Sequence, residues 1–168
     1  MEERQEAIKQ LLQSIDGEVW DREGLKDTPN RIARMYNELF SGYRKNPKEI
    51  LSKQFDAGPK PVTVTVKDIS FFSMCEHHMM PFFGTVDITY TPKVGGKVVG
   101  LSKLARLVEC HARRLQIQER MCQNILADIV DNLHPANAKV CIIAEHTCMT
   151  ARGVNKPGSK TYTEAVYY

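Results

Sequence analysis

Residues 62–90 read VTVTVKDISFFSMCEHHMMPFFGTVDITY, and two parts of this stretch alternate between apolar and polar side chains. The first runs from Val62 towards Cys75, and the second runs from Gly84 to Tyr90. Alternation with a period of two predicts β-strands that bury one face. Because only a short segment separates the two runs, we expect the second strand to turn back on the first as an antiparallel pair.

Helical periodicity flanks these strands on both sides. Apolar residues recur every three or four positions in segments 2–15 and 28–42, and again in segments 102–114 and 118–133. This spacing predicts amphipathic helices. A strongly apolar run at 139–150 predicts a further strand. Blocks of strands and helices without strict alternation predict the α+β class, with N-terminal helices and two later helices packed on one face of an antiparallel sheet.

The length and composition predict one soluble globular domain. A chain of 168 residues corresponds to about one domain, and 42% hydrophobic with 26% charged residues is an ordinary globular composition. No repeat or linker marks a boundary. We therefore expect a single domain over 1–168, with a helical N-terminal region at 1–42 and the main core at 60–168.

Several function classes are disfavoured by the same numbers. No apolar run approaches the roughly 18 residues of a membrane helix, so we expect no membrane partner. The N-terminal residues Met1–Glu6 are polar and acidic where an export signal would be basic and then apolar. Five cysteines, an odd number, indicate free thiols or metal ligands rather than a disulfide framework. These features predict a cytoplasmic protein.

The distribution of charge along the chain is more informative than the net charge. A net charge of +3 is too small to predict nucleic-acid binding. Segment 93–120 nevertheless carries seven Lys or Arg residues against two acids, and segment 151–160 carries three bases and no acid. An anionic ligand bound between these segments is one interpretation, and an ordinary solvated helix face is the simpler one.

The densest group of reactive side chains lies at the end of the first predicted strand. Cys75 and His78 have the C-x-x-H spacing that lets two side chains of one turn bind the same metal. His146 and Cys148 stand two residues apart in the predicted strand 139–150, where alternate side chains share a face. Mixed cysteine and histidine ligands favour zinc over magnesium or calcium.

The ligand spacing alone leaves two kinds of zinc site open. A closed site would use Cys75, His78, His146 and Cys148 only to stabilise the fold. A catalytic site would keep one position for water, and an adjacent histidine would transfer protons. The further titratable side chains in the same turn, including His77, exceed what a closed tetrahedron needs. This surplus favours an enzyme.

Two further segments suggest a nucleotide. A helix that begins at Ser102 would offer free N–H groups and a positive dipole end to phosphate, with Lys103 and Arg106 nearby and Arg152 contributed by the later basic loop. Glu119 begins the next helix, and a carboxylate accepts the pair of N–H groups on the edge of guanine. The remaining cysteines are expected in the core: Cys110, Cys122 and Cys141.

Five motifs follow one another along the chain: DTPNR at 27–31, SMCEHH at 73–78, GLSKLAR at 100–106, QIQER at 116–120 and HTCMTARG at 146–153. Together they resemble one known family, the zinc-dependent GTP cyclohydrolase I family, from about Thr28 to Thr163. The resemblance implies the tunnelling fold, in which antiparallel sheets of several subunits join into an oligomeric barrel. It also implies a homodecamer with active sites between subunits.

The resemblance also implies a role for each site residue. Cys75, His78 and Cys148 would bind zinc, which leaves His146 as a catalytic residue rather than a ligand. His77 and His146 would transfer protons, and Ser102 would assist the sugar rearrangement. The remaining residues would bind the substrate: Gln118 and Glu119 the guanine, and Lys103, Arg106 and Arg152 the triphosphate.

The implied reaction is the hydrolysis of GTP at C8, with release of formate and rearrangement to 7,8-dihydroneopterin 3'-triphosphate. Three alternatives stay open at this point: a zinc-stabilised guanine-nucleotide-binding assembly or regulatory protein without turnover, a specialised relative acting on another purine nucleotide, and a nitrile-reducing tunnelling-fold enzyme. Family members usually continue beyond Thr163 with a further strand and a helix, whereas this sequence stops at Tyr168.

Overall fold

The computed structural model describes all residues from Met1 to Tyr168, which form two compact units, 1–41 and 42–168. The first unit contains helices α1 (Glu2–Gln13) and α2 (Thr28–Leu39). Pro29 lies in the first turn of α2, where the missing N–H costs no hydrogen bond. None of the helices in either unit is both long enough and apolar enough to span a membrane.

Side-chain hydrogen bonds join the two helices of the first unit. Nη1 of Arg4 on α1 donates to the carbonyl oxygen of Ala33 at 3.0 Å and to Oδ1 of Asn37 at 2.9 Å, both on α2. Ile8 and Ala33 are buried. The helical periodicity predicted for segments 2–15 and 28–42 is therefore confirmed, with each helix ending a few residues earlier than predicted.

The second unit carries all the strands and the longer helices of the core. Its helices are α3 (Pro47–Ile50), α4 (Leu101–Ala112), α5 (Gln118–Leu133) and α6 (Thr147–Thr150). Its strands are β1 (Gln54–Asp56), β2 (Val64–Cys75), β3 (Pro81–Thr91), β4 (Lys97–Val99), β5 (Leu115–Gln116), β6 (Asn137–His146) and β7 (Thr161–Tyr167).

Five strands form the main sheet in the order β5-β2-β3-β6-β7. The pairs β2–β3, β3–β6 and β6–β7 are antiparallel, and the short strand β5 runs parallel to β2. Strands β1 and β4 form a separate two-stranded sheet. The antiparallel pair predicted within 62–90 is confirmed, and it positions the turn at 76–79 at one end of the sheet.

Helices α4 and α5 pack on one face of the main sheet, as the sequence predicts. Even-numbered residues of β3 and β6 face these helices and are buried, whereas their odd-numbered neighbours face away. Apolar side chains from both layers form the core, and these include Val86, Ile88, Val140 and Ile142 from the sheet. Period-two alternation thus holds because only one face of the sheet is covered.

Three local predictions differ from the structure. Strand β6 ends at His146, and Thr147–Thr150 form the helical turn α6, so Cys148 does not lie on a strand. Cys141 lies on the uncovered face of β6 and is only half-buried, so it is not a core residue. Strand β7 was not predicted, because its core-facing residues are small or polar: Thr161, Thr163 and Ala165.

Candidate metal and nucleotide site

The site begins at the turn that links β2 to β3. The main-chain N–H of Cys75 donates to the carbonyl oxygen of Met80 at 2.9 Å, and the N–H of Met79 donates to the carbonyl oxygen of Cys75 at 2.8 Å. Met79 has a positive φ of 51°, which a turn this tight requires. These bonds hold His77 and His78 beside Cys75 at the end of the sheet.

A second chain segment reaches the same end of the sheet through β6. The β3–β6 register places His146 opposite Phe82, just after the turn. The hydroxyl of Thr147 donates to the carbonyl oxygen of Pro81 at 2.6 Å, and this bond anchors the start of α6. The α6 turn directs Cys148 towards Cys75. The two cysteines therefore meet through a helical turn after β6 and not through the strand alternation predicted from sequence.

Three side chains form a group with the geometry of a metal site. The ligand atoms of Cys75, His78 and Cys148 all lie within 4.8 Å of one another. Zinc bound at roughly 2.3 Å to sulfur and 2.1 Å to nitrogen brings neighbouring ligand atoms to within about 4 Å, so small side-chain rotations suffice. Burial raises the pKa of the Cys148 thiol, and the adjacent Cys75 adds to this shift.

No fourth cysteine, histidine or carboxylate joins this group. His146 has a different partner, because its Nε2 atom lies 2.7 Å from Oε1 of Gln118. Burial lowers the pKa of His146, and the carboxylate of Glu119 opposes part of that shift. Three side chains therefore cluster with an adjacent imidazole, and His146 does not complete a Cys₂His₂ group in this structure.

A cleft of about 240 Å³ opens beside Cys75, His78 and Cys148. The first residues of α5 form its far wall, where Gln118 is buried and Glu119 is exposed. Consecutive helical residues point about 100° apart, so Glu119 faces solvent while Gln118 faces the sheet. Eleven residues line the cleft: Cys75, His77, His78, Gln116, Ile117, Gln118, Glu119, His146, Cys148, Met149 and Thr161.

An ion pair joins the turn to α5 outside the cleft. The guanidinium of Arg120 binds both carboxylate oxygens of Glu76. This bond holds the pKa of Glu76 below its usual value. The N–H of Glu76 also donates to the carbonyl oxygen of Gln116 at 3.1 Å. Glu76 therefore ties the turn at 76–79 to the helix that carries Glu119.

The residues predicted to bind the triphosphate, together with Ser102, divide into two groups. Arg152 is not a lining residue but lies beside the cleft, where its Nη1 atom is 3.4 Å from Nε2 of the lining residue His78. Ser102, Lys103 and Arg106 lie on the first turns of α4 and do not line the cleft. The twelve residues of α4 span about 18 Å. The C-terminal end of α4 is the end near the cleft, because the chain continues from it to Gln116, which lines the cleft. One chain therefore does not bring all the predicted residues together.

Cleft residues missed by sequence reasoning include Gln116, Met149 and Thr161. Gln116 and Met149 lie within or beside the quoted motifs, so their position near the site was available from sequence. Thr161 follows the loop 151–160 and reaches the cleft because β7 pairs with β6. Only the sheet topology could place Thr161 at the site.

Comparison with solved structures supports the class of fold. An antiparallel sheet covered on one face by two helices is the subunit architecture of the tunnelling-fold proteins. The structure of the archaeosine synthase QueF-Like in the apo form matches with a TM-score of 0.50 and 18% identity, over 64% of this chain and 94% of that one. At this identity the match bears on the fold alone.

Sequence comparison defines the family. The GTP cyclohydrolase I profile matches residues 4–167. The GTP cyclohydrolase 1 of Dehalococcoides mccartyi is 51% identical over 96% of this chain and 87% of its own length. That of Bacillus subtilis is 52% identical over 98% of this chain and 85% of its own length. The chain belongs to the GTP cyclohydrolase I family.

Proposed function

We propose that this chain hydrolyses GTP at C8 with zinc as its metal, releases formate and forms 7,8-dihydroneopterin 3'-triphosphate. The observation that carries the proposal is the convergence of the three metal-binding side chains, His146 and Glu119 on one cleft. Membership of the family supports the same reaction. Several acid and base steps are needed in one pocket for this chemistry, and a cleft with two unligated histidines suits them.

Cys75, His78 and Cys148 are the residues that would hold zinc. A zinc ion there would act as a Lewis acid and supply a water of lowered pKa for attack on the carbon between two purine nitrogens. The donor set of two thiolates and one imidazole fits zinc and disfavours magnesium or calcium. The separate hydrogen bond of His146 to Gln118 supports a site with an open position.

Proton transfer is assigned to His77 and His146. Both line the cleft, and an imidazole changes protonation state near neutral pH. The His77 ring nitrogen Nδ1 lies 3.9 Å from Sγ of Cys75, so this histidine stands directly beside the metal-binding group. Burial lowers the pKa of His146, which favours the neutral imidazole that a base requires.

Guanine recognition is assigned to the wall formed by α5. The exposed carboxylate of Glu119 lines the cleft and can accept both N–H groups of the guanine edge. Gln118, the other residue expected to bind guanine, lies beneath it with its side-chain amide bound within the protein. Arg152 stands at the cleft and would bind a phosphate group.

Completion of the site is assigned to a second copy of the chain. Ser102, Lys103 and Arg106 lie at the far end of α4 from the cleft, and the family resemblance implies a homodecamer with shared sites. Two inactive variants test this: Arg106→Met and His146→Ala, expressed together. Random mixing in a symmetric assembly would restore about a quarter of the normal sites if each site uses two copies. No restored activity in a confirmed mixed assembly would contradict a shared site.

The reaction itself is tested with purified protein, GTP and zinc. We expect formate, together with a pterin that fluoresces after oxidation. His77→Ala and His146→Ala should keep one zinc per chain and lose product formation, whereas Cys148→Ser should lose the zinc as well. Absence of product from zinc-loaded protein would instead favour a nucleotide-binding protein without turnover. Equal zinc loss in both histidine variants would contradict their role in proton transfer.

A further inference from the structure

We infer that Gln118 is a positioning residue, which holds the imidazole of His146 in the tautomer protonated at Nε2 and so leaves Nδ1 as the nitrogen that exchanges protons with the substrate. The inference rests on the proposed function only for the last step, the use of Nδ1 in catalysis. The hydrogen-bond geometry around Gln118 carries the rest.

Gln118 is deeply buried although it is polar. Its exposed fraction is 1%, and it begins α5 at the wall of the cleft. A buried amide needs partners for both its oxygen and its nitrogen. Those partners lie on two neighbouring strands, β6 and β7, so the side chain bridges the start of α5 to the sheet.

The orientation of the amide follows from its partners. Nε2 of Gln118 donates towards the carbonyl oxygens of Ile142 and Thr161, each at 3.1 Å, and lies 3.2 Å from the hydroxyl of Thr163. Main-chain carbonyl oxygens only accept hydrogen bonds. A flipped amide would place its own oxygen against these two carbonyls with no proton between them. The NH₂ group must therefore face the strands, and Oε1 must face His146.

The tautomer of His146 follows in turn. Oε1 of Gln118 is an acceptor, so the nitrogen 2.7 Å away, Nε2 of His146, must carry the proton. A neutral imidazole has one ring proton, which leaves Nδ1 with a free electron pair. Each step of this assignment uses a group that can only accept hydrogen bonds: first the two main-chain carbonyl oxygens, and then Oε1 of Gln118.

The plane of the ring is fixed independently. The Phe82 ring stacks on the His146 imidazole with centroids 4.6 Å apart and an interplanar angle of 2°. Phe82 is fully buried, so it cannot move aside without disturbing the core. Stacking restricts the tilt of the imidazole, and the Gln118 bond restricts its rotation about the stacking axis. Together they present Nδ1 in one direction before any substrate binds.

This assignment separates the roles of two adjacent residues. Glu119 is exposed on the cleft wall, whereas the Gln118 amide is used within the protein. A guanine-binding role for the Gln118 amide and a positioning role predict different kinetics. Loss of a substrate contact made equally in the ground state raises KM, whereas loss of a positioned proton-transfer group lowers kcat.

The direct test reads the tautomer in the unmodified protein. Histidine labelled with ¹⁵N gives different solid-state NMR shifts for the two ring nitrogens when one is protonated, and a His146→Asn sample identifies the signals of His146. We expect the Nε2-protonated form. A predominantly Nδ1-protonated form would overturn the inference, whatever the outcome of the GTP assay, because this readout does not depend on turnover.

Variants then test the role of the amide. Gln118→Met keeps the size and removes both hydrogen-bonding ends, so we expect mixed tautomers, retained zinc and a fall in kcat of about 10- to 100-fold with little change in KM. Unchanged tautomers, or a raised KM with normal kcat, would overturn the positioning role.

Gln116→Met is the matched control. Gln116 is also a buried glutamine that lines the cleft, but its Nε2 atom donates to the carbonyl oxygen of His111 at 2.9 Å and does not contact His146. We expect this variant to leave the His146 tautomer unchanged. If it changed the tautomer as much as Gln118→Met does, general loosening of the cleft would explain both results and the specific role of Gln118 would be rejected.

Discussion

The Nδ1 atom of His78 lies 3.9 Å from the Sγ atom of Cys75, three residues earlier in the same turn. Two main-chain hydrogen bonds across the turn, Cys75 with Met80 and Met79 with Cys75, close it without any metal. The two side chains are therefore arranged by the β2–β3 hairpin itself. Only Cys148 must be supplied by a distant part of the chain.

Zinc content provides the first prediction. Cys148→Ser removes one of three ligands, so we expect the purified protein to hold much less than one zinc per chain by elemental analysis. Cys141→Ser is the control, because Cys141 faces away from the core on β6 and belongs to no metal group. Full zinc in the Cys148 variant, or equal loss in the Cys141 variant, would show that the ligand assignment is wrong.

The pH dependence of zinc binding follows from the Cys148 thiol. Its pKa is raised by burial, so the proton remains bound up to a higher pH than in an exposed thiol and competes with zinc. Apparent zinc affinity should fall as the pH is lowered, by about tenfold per pH unit for each proton released. Competition with a chelator between about pH 6 and pH 8 measures this, and an affinity independent of pH would contradict thiolate ligation.

Gly84 is predicted to be essential for the β3–β6 pairing. A Cβ atom at this position would lie 1.8 Å from the carbonyl oxygen of Ile143, so the strands must separate to accept it. Gly84→Ala should lower the free energy of unfolding by about 3 kcal/mol, the upper range for overpacking. Gly100→Ala is the control, since its nearest atom lies at 3.9 Å. Similar stabilities of the two variants in denaturant titrations would contradict this account.

Glu164 gives a prediction for acid stability. Hydrogen bonds from Lys139 and then Tyr162 lower the pKa of Glu164 to about 2. A carboxyl with a depressed pKa in the folded state stabilises the protein above its unfolded pKa of about 4.3, and this contribution disappears as the pH falls towards 2. The stability difference between wild type and Glu164→Gln should be constant above about pH 5 and shrink below it.

Lys139→Met is the companion variant, because it removes the first of these hydrogen bonds while leaving the carboxyl. Its acid sensitivity should resemble that of Glu164→Gln, as followed by thermal unfolding over the same pH range. A difference that grows as the pH falls would reverse the predicted sign and reject the depressed pKa.

Thiol reactivity should distinguish Cys122 from Cys148. Cys122 has an exposed fraction of 1%, and burial raises its pKa to about 11. It should resist alkylation until the protein unfolds, because the thiolate is the reactive form. Cys148 lines the open cleft and should become alkylated once zinc is removed. Mass spectrometry of the labelled peptides checks this order, and faster labelling of Cys122 than of Cys148 would contradict it.

The candidate metal ligands show how much of the site can be predicted from local sequence. The spacing of Cys75 and His78 lies within one turn, so their proximity does not depend on the rest of the fold. Cys148 was expected to reach this group from a strand, whereas it lies on α6. The transition from β6 to α6 is stabilised by the bond from Thr147 to the carbonyl of Pro81, a tertiary contact that periodicity does not contain.

The sequence by itself determined the strands β2, β3 and β6, the amphipathic helices and the residue types available to the candidate site, because alternation, helical spacing and residue type are properties of neighbouring residues. Only the tertiary structure decided that Gln118 contacts His146, 28 residues away, and that Ser102 lies far from the cleft of its own chain. Those relationships depend on strand order and register, which arise when distant segments bury their apolar faces together.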